Sequence, residues 1–340
     1  MNFRPIKLMF PALLLSASIA SADTIPTYHE IARVKLSGSQ GWDYLNISPE
    51  AHRLYITRGT HVDVMNLDTN KIIGQIKNTP GVHGVALAEE LNRGFTSNGQ
   101  NNTVTIFDLK TLNTLGTVSV GNRPDAIVYD PATKRVFTMN GGSDNSTAID
   151  ASTGNVEGTI ALDGRPEFAT ADGKGEVFVN IESKSEISAI DATALTVKAT
   201  WPIAPGVGPS GIAMDSDSRR IFSVCGNKMM VVLDADSGKA LATPAIGQGP
   251  DACWFDPGDH LAFSSNGRDG TLTVVQEESP DQFSVVATVP TEAGARTLAV
   301  DTLTHKIYLI TAKFTPAAPG EPFWRRKVIP GSVVVLVYAP

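Results

Sequence analysis

Residues 124–165 read PDAIVYDPATKRVFTMNGGSDNSTAIDASTGNVEGTIALDGR, and this stretch decides the fold. Asp125 to Asp130 alternates apolar residues and stops at Pro131, a hairpin turn. Arg135-Val-Phe-Thr-Met139 follows and is closed by Asn140-Gly141-Gly142, which adopt positive φ readily. Ser146 to Ile149 with Asp150 forms a third apolar run, turned by Ser152-Thr-Gly154, and Val156 to Leu162 forms a fourth. Four short antiparallel strands in about forty residues make one propeller blade.

The unit recurs. Tyr55, Phe95, Phe137, Phe178, Phe222, Phe263 and Tyr308 stand at intervals of about 40 to 45 residues, the spacing of a propeller array. Turn residues precede them at Pro49, Glu89, Pro131, Gly173, Ser216, Pro257 and Thr302. Asp68, Asp108, Asp150, Asp191 and Asp234 end the third runs of the first five units. The units span 41–81, 82–123, 124–165, 166–208, 209–249, 250–294 and 295–340. The last ends after its third strand (Ser332–Tyr338), whereas Tyr28–Leu36 precedes the first. Pairing these two segments closes the ring and removes a sheet edge. The predicted fold is all-β: a seven-bladed β-propeller closed by an N-terminal strand, one domain over 23–340.

Residues 1–22 read as a signal peptide. Arg4 and Lys7 form the basic region, Leu8 to Ile19 the apolar core, and Ala20-Ser-Ala22 the cleavage site, which predicts a periplasmic or secreted chain. Losing Arg4 and Lys7 takes the net charge from −7 to −9, which opposes phosphate-driven binding to nucleic acid. Cys225 and Cys253 lie in adjacent units of a chain bound for an oxidising compartment, so a bridge and two separate buried thiols both remain open.

Arg93-Gly-Phe-Thr-Ser-Asn-Gly99 and Asn102-Thr-Val-Thr-Ile-Phe-Asp-Leu-Lys-Thr111 carry a pattern that resembles the bacterial YVTN-repeat, YncE-like β-propellers. The resemblance covers essentially the whole chain after residue 22 and implies an exported seven-bladed ring. Related sequences are labelled DNA-binding propellers. That reading would ask Trp42, Phe168 and Trp324 to stack on bases.

Function is expected where the units differ. Six residues before each turn, Asp43, His83, Asp125, Glu167, Ser210, Asp251 and Arg296 fall at one equivalent place, a polar ring at the mouth of the central channel. Asn98, Asn140, Asn180 and Asn266 are expected in the neighbouring loops. Carboxylate and amide oxygens suit a divalent cation such as Ca²⁺, and His83 admits a transition metal. The metal-ligand candidates are Asp125, Glu167 and His83. Arg58, Arg123, Arg165, Lys184 and Arg268 fall on the same face. The last unit inserts Lys313–Gly331, where Phe323 and Trp324 beside Arg325, Arg326 and Lys327 form a contact element for a ligand or partner. His83, beside Asp43 and Asp125, is the one histidine placed as a general base. No G-x-S-x-G, H-E-x-x-H or Walker sequence occurs. Three readings result: a binding or scaffold module for a small polar ligand or protein partner, a metal-assisted hydrolase or lactonase, and a single-stranded DNA binder.

Overall fold

The computed structural model describes Met1 and residues 26–38, 41–316 and 327–340. The expected leader beyond Met1, and Phe323, Trp324, Arg325 and Arg326, lie outside the described residues. The repeat becomes seven four-stranded antiparallel sheets, six of them with the strands in chain order from the centre outward. Blade three comprises Pro124–Asp130, Arg135–Asn140, Asn145–Asp150 and Val156–Ala161. First strands of neighbouring blades touch all the way round, blade seven against blade one included, so they line the central channel.

The buried apolar residues fall into clusters that each join two adjacent blades, so the core is distributed around the ring. The seven periodic aromatics sit in these clusters at 0 to 1 % exposure, one per second strand. An array stabilised by neighbour contacts can exceed the size of a single core.

Polar residues set the turns. In blades two to five, Asp108, Asp150, Asp191 and Asp234 accept hydrogen bonds from the N–H groups two and three residues on. The residue four after each aspartate, Leu112, Gly154, Leu195 or Gly238, has positive φ and returns its N–H to the aspartate carbonyl. In blade one the cap is Asn66, which accepts from Thr69 N–H at 2.9 Å. The expected Asp68 lies two residues further on and pairs instead with His52 at 2.9 Å. Arg53, Arg93 and Arg135, which open second strands, donate to the carbonyls of Leu109, Ala151 and Ala192 in the next blade. The recurrent arginine is therefore a clasp between blades.

Blade seven takes its outermost strand from the start of the chain. His29–Lys35 pairs antiparallel with Val334–Ala339, from His29 opposite Ala339 to Lys35 opposite Val334. Tyr28 packs edge-on against Phe263 of blade six at 5.4 Å and secures the closure.

Candidate ligand site at the channel mouth

Six of the seven predicted ring residues form a linked arc. His83 Nδ1 is 2.6 Å from Asp43 Oδ2 and 3.5 Å from Asp125 Oδ1. Arg296 lies 3.4 Å from Asp43 Oδ1 and also hydrogen-bonds Asp251. Ser210 Oγ donates to Asp251 Oδ1 at 3.0 Å. Glu167 stands apart: its cation is Arg165 at 3.9 Å, which is also engaged by Glu182. Among these ring residues four carboxylates face two cations.

That imbalance shows in the acidities. Burial, then the charges of Asp43 and Asp251, push Asp125 up to about 6 against the opposing pull of His83. Burial, then Asp125 and Asp251, push Glu167 up to about 8. Asp251 is raised by burial, with Arg296 opposing. Burial alone would lower His83, but the Asp43 hydrogen bond and the charges of Asp125 and Asp43 carry it up to about 9. At neutral pH His83 is therefore an imidazolium, without the lone pair that a general base or metal ligand needs. Asp125 Oδ1 is buried without a hydrogen-bond donor among the described residues.

The metal candidates regroup. Ligand atoms of Asp43, His83 and Asp125 lie within 4.8 Å of one another, and Glu167 is not in that set. An ion there would have to displace the His83 proton, so its affinity would rise with pH. A second such set, Asp256, Asp259 and His305, joins blades six and seven at the opposite face. His305 lies 2.7 Å from the fully buried Asp256. The readable signal was an aspartate ending a first strand one blade before a turn histidine.

The asparagines do not reach the mouth. Asn98, Asn140, Asn180 and Asn266 are 0 to 1 % exposed. Asn98 accepts from Thr96 Oγ1 at 2.8 Å and donates to Thr105 Oγ1 at 2.8 Å. Asn140 and Asn266 repeat this with Thr138 and Thr147, and with Ser264 and Thr273. Asn180 instead donates to the Ser210 carbonyl at 2.7 Å. Both ends of each amide are used within or between blades, so these residues stabilise the strand ends and are not free to bind ligand.

The cations of this face also divide. Arg58 is fully buried and bound to Asp63 at 3.0 Å and to the Ser37 carbonyl at 3.0 Å. Lys184 pairs with Asp163 at 3.6 Å across the surface. Arg268 lines a mouth cavity of about 580 Å³, together with Arg296, Asp251 and Glu182, with Trp42, Phe314 and Val328 as its apolar side. Phe314 and Val328 form the base of the last-blade insertion, where Thr315 N–H bonds the Lys327 carbonyl at 2.9 Å.

Just below the ring the channel is crossed. The residues following the ring positions are Tyr44, Gly84, Ala126, Phe168, Gly211, Ala252 and Thr297. Five are small; a Cβ on Gly211 would lie 2.4 Å from the Cys253 backbone nitrogen. The two large ones meet: Tyr44 of blade one reaches Phe168 of blade four edge-on at 4.5 Å. These blades are not neighbours, so the contact spans the channel. Trp42 is 9 % exposed and Phe168 is held in this partition, which removes two of the three surfaces a stacked single strand would use.

Cys225 and Cys253 are separate buried thiols, and burial pushes both upward in pKa, Cys225 to about 12. They are protonated and unreactive at neutral pH.

No family model matches this sequence, and no curated protein matches it either. Solved structures do resemble the fold. A chain of "Kuenenia stuttgartiensis Hydrazine Synthase" has a TM-score of 0.71 at 15 % identity, over 80 % of this chain and 92 % of that one. A chain of "Structure of U3-55K" has a TM-score of 0.77 at 8 % identity, over 90 % and 98 % of the two chains. A chain of the mitotic checkpoint complex has a TM-score of 0.75 at 14 % identity, over 98 % and 99 %. At these identities the likeness concerns architecture alone: this chain is a seven-bladed β-propeller.

Proposed function

We propose that this chain is an exported, YncE-like binding propeller that holds a small positively charged ligand at its channel mouth, and that it is not an enzyme. The observation that carries the reading is the charge imbalance of the ring. Asp43, Asp125, Glu167 and Asp251 face His83 and Arg296, with Arg165, shared with Glu182, beside Glu167, and the acidities of Asp125 and Glu167 are pushed well above their ordinary range. A cation at the mouth would offset the mutual repulsion of these carboxylates and lower the pH at which Asp125 and Glu167 ionise. The base of the last-blade insertion, through Phe314 and Val328, forms one wall of a mouth cavity that Asp251 and Arg296 of the ring also line. Binding side chains carried at the ends of strands on a rigid scaffold are a common arrangement.

The test is thermal unfolding at pH 8 with calcium chloride, manganese chloride or the organic diamine putrescine, against sodium sulfate as the anionic control. One of the cations should raise the melting temperature of the native chain and not of the Asp125→Asn/Glu167→Gln variant. Equal responses in both, or none in either, would refute the mouth as a cation site. Intact mass of the periplasmic product beginning at Asp23 tests export; retention of residues 1–22 would contradict it. The Asp43, His83 and Asp125 set favours metal-assisted hydrolysis as a second reading, and manganese-dependent lactone opening abolished by His83→Gln would support it.

A further inference from the structure

The partition made by Tyr44 and Phe168 leaves a second chamber beneath the mouth. Its volume is about 450 Å³, and first strands from six blades contribute to its wall. The side chains facing it include Leu87, Val128, Tyr129, Phe168, Met214 and Trp254, all only partly buried. The polar members are Asn46, Glu89, Thr170 and the Tyr129 hydroxyl. Asn46 spends its amide on the Val85 carbonyl at 2.7 Å and on Ile47 N–H at 2.8 Å. Glu89 is at the wall, next to Glu90, which accepts the Tyr129 hydroxyl.

The same first strands are thus polar in their mouth row and apolar a few residues further on. A water-filled conduit needs no such apolar lining, and partly exposed Trp, Phe, Tyr and Met side chains together are unfavourable in water. The volume lies in the range of small-molecule sites, which are mostly apolar with few polar groups. Aromatic edges and faces from three blades suit a planar ring system. Exposed Glu89 and Glu90 beside the chamber repel an anion.

We infer that the lower chamber binds a small uncharged aromatic molecule, separately from the ligand of the mouth. Isothermal titration of the full chain with neutral 2-naphthalenemethanol, and with anionic 2-naphthoate, tests this, with fluorescence of Trp254 and the other tryptophans as a second signal. The neutral probe should bind saturably at one site and the anion at least about tenfold more weakly. Met214→Trp, which fills the chamber, should weaken the neutral probe by about tenfold or more; Leu87→Trp gives the same test where Met214→Trp does not fold. Absence of saturable binding, preference for the anion, or undiminished binding in a folded chamber-filling variant would overturn the inference. Met214 does not line the mouth, so the cation response should survive in Met214→Trp, and the two readings can fail independently.

Discussion

Two sets of carboxylates in this ring have moved in opposite directions. Asp108, Asp150, Asp191 and Asp234 close turns between outer strands, and backbone N–H groups and side-chain hydroxyls hold them below the usual aspartate range. Asp191 has only the N–H groups, from Ala194 and Thr193. Asp125, Glu167 and Asp251 stand at the channel mouth, where burial and mutual repulsion hold them above it. The first set is bound by the chain itself. The second is crowded with like charge in a buried setting, which is what the proposed cation would relieve. The direction of the shift therefore follows the environment: donors of the chain's own turns lower the first set, and burial among like charges raises the second.

The largest effect expected on the structural side is at Asp256. It is fully buried, accepts Gly258 N–H at 3.0 Å and pairs with His305 of blade seven. Asp256→Ala should cost on the order of 2–3 kcal/mol in urea unfolding, since it leaves the Gly258 N–H without its acceptor and removes the inter-blade contact to His305. A loss near zero would mean that the clasp adds nothing to ring closure.

Next in size is the pH dependence, where the two sets should produce opposite limbs. Glu167, at about 8 in the fold against an ordinary 4.5, binds its proton more tightly when folded. Its contribution therefore falls as pH rises from about 4.5 through 8. Asp125, at about 6, acts in the same sense at lower pH. His83 contributes stability that is complete below 6.5 and lost as pH rises through about 9. The lowered turn aspartates contribute stability present above the ordinary aspartate value of 3.8 and lost as pH falls below it. Melting temperature should decline from about pH 5 to 9 and again in acid. A flat alkaline side would remove the case for overcrowded mouth acids.

A smaller loss is expected from Asp150→Ala, about 1 kcal/mol for a turn cap with two backbone donors, leaving the alkaline limb unchanged. The smallest effect carries the opposite sign. Glu167→Gln should leave stability at pH 8 unchanged or raise it by up to about 1 kcal/mol, and should flatten the alkaline limb. A clear destabilisation would place Glu167 with the structural acids.

The blade, its aromatic core position and the alignment of the mouth ring were legible because each depends on local alternation and a fixed period. Tyr55 to Tyr308 needed no knowledge of distant contacts. Asn98, Asn140 and Asn266 were placed in loops because an Asn-Gly pair looks like a loop tip, whereas Asn98 points back along its own sheet. The clue lay in the alternating Thr96 and Asn98 against Thr103 and Thr105, a hydrogen-bonded pair of strands. Asp68 was misplaced by two residues because Asn66 performs the same cap with a different side chain. The partition between Tyr44 and Phe168 was not legible. It joins blades one and four, which are far apart in sequence, and the repeat itself does not mark the contact.

The pairing of His29–Lys35 with Val334–Ala339 also fixes an order of assembly. Blades one to six are each built from contiguous chain and can form as soon as their own residues are available. Blade seven must wait, because its outer strand is made first and its partner last. Contacts of such sequence separation form slowly, since the intervening loop has to be closed first. The seam between first and last residues is therefore expected to be the last part of the ring to acquire hydrogen-exchange protection during refolding, and the first to lose it.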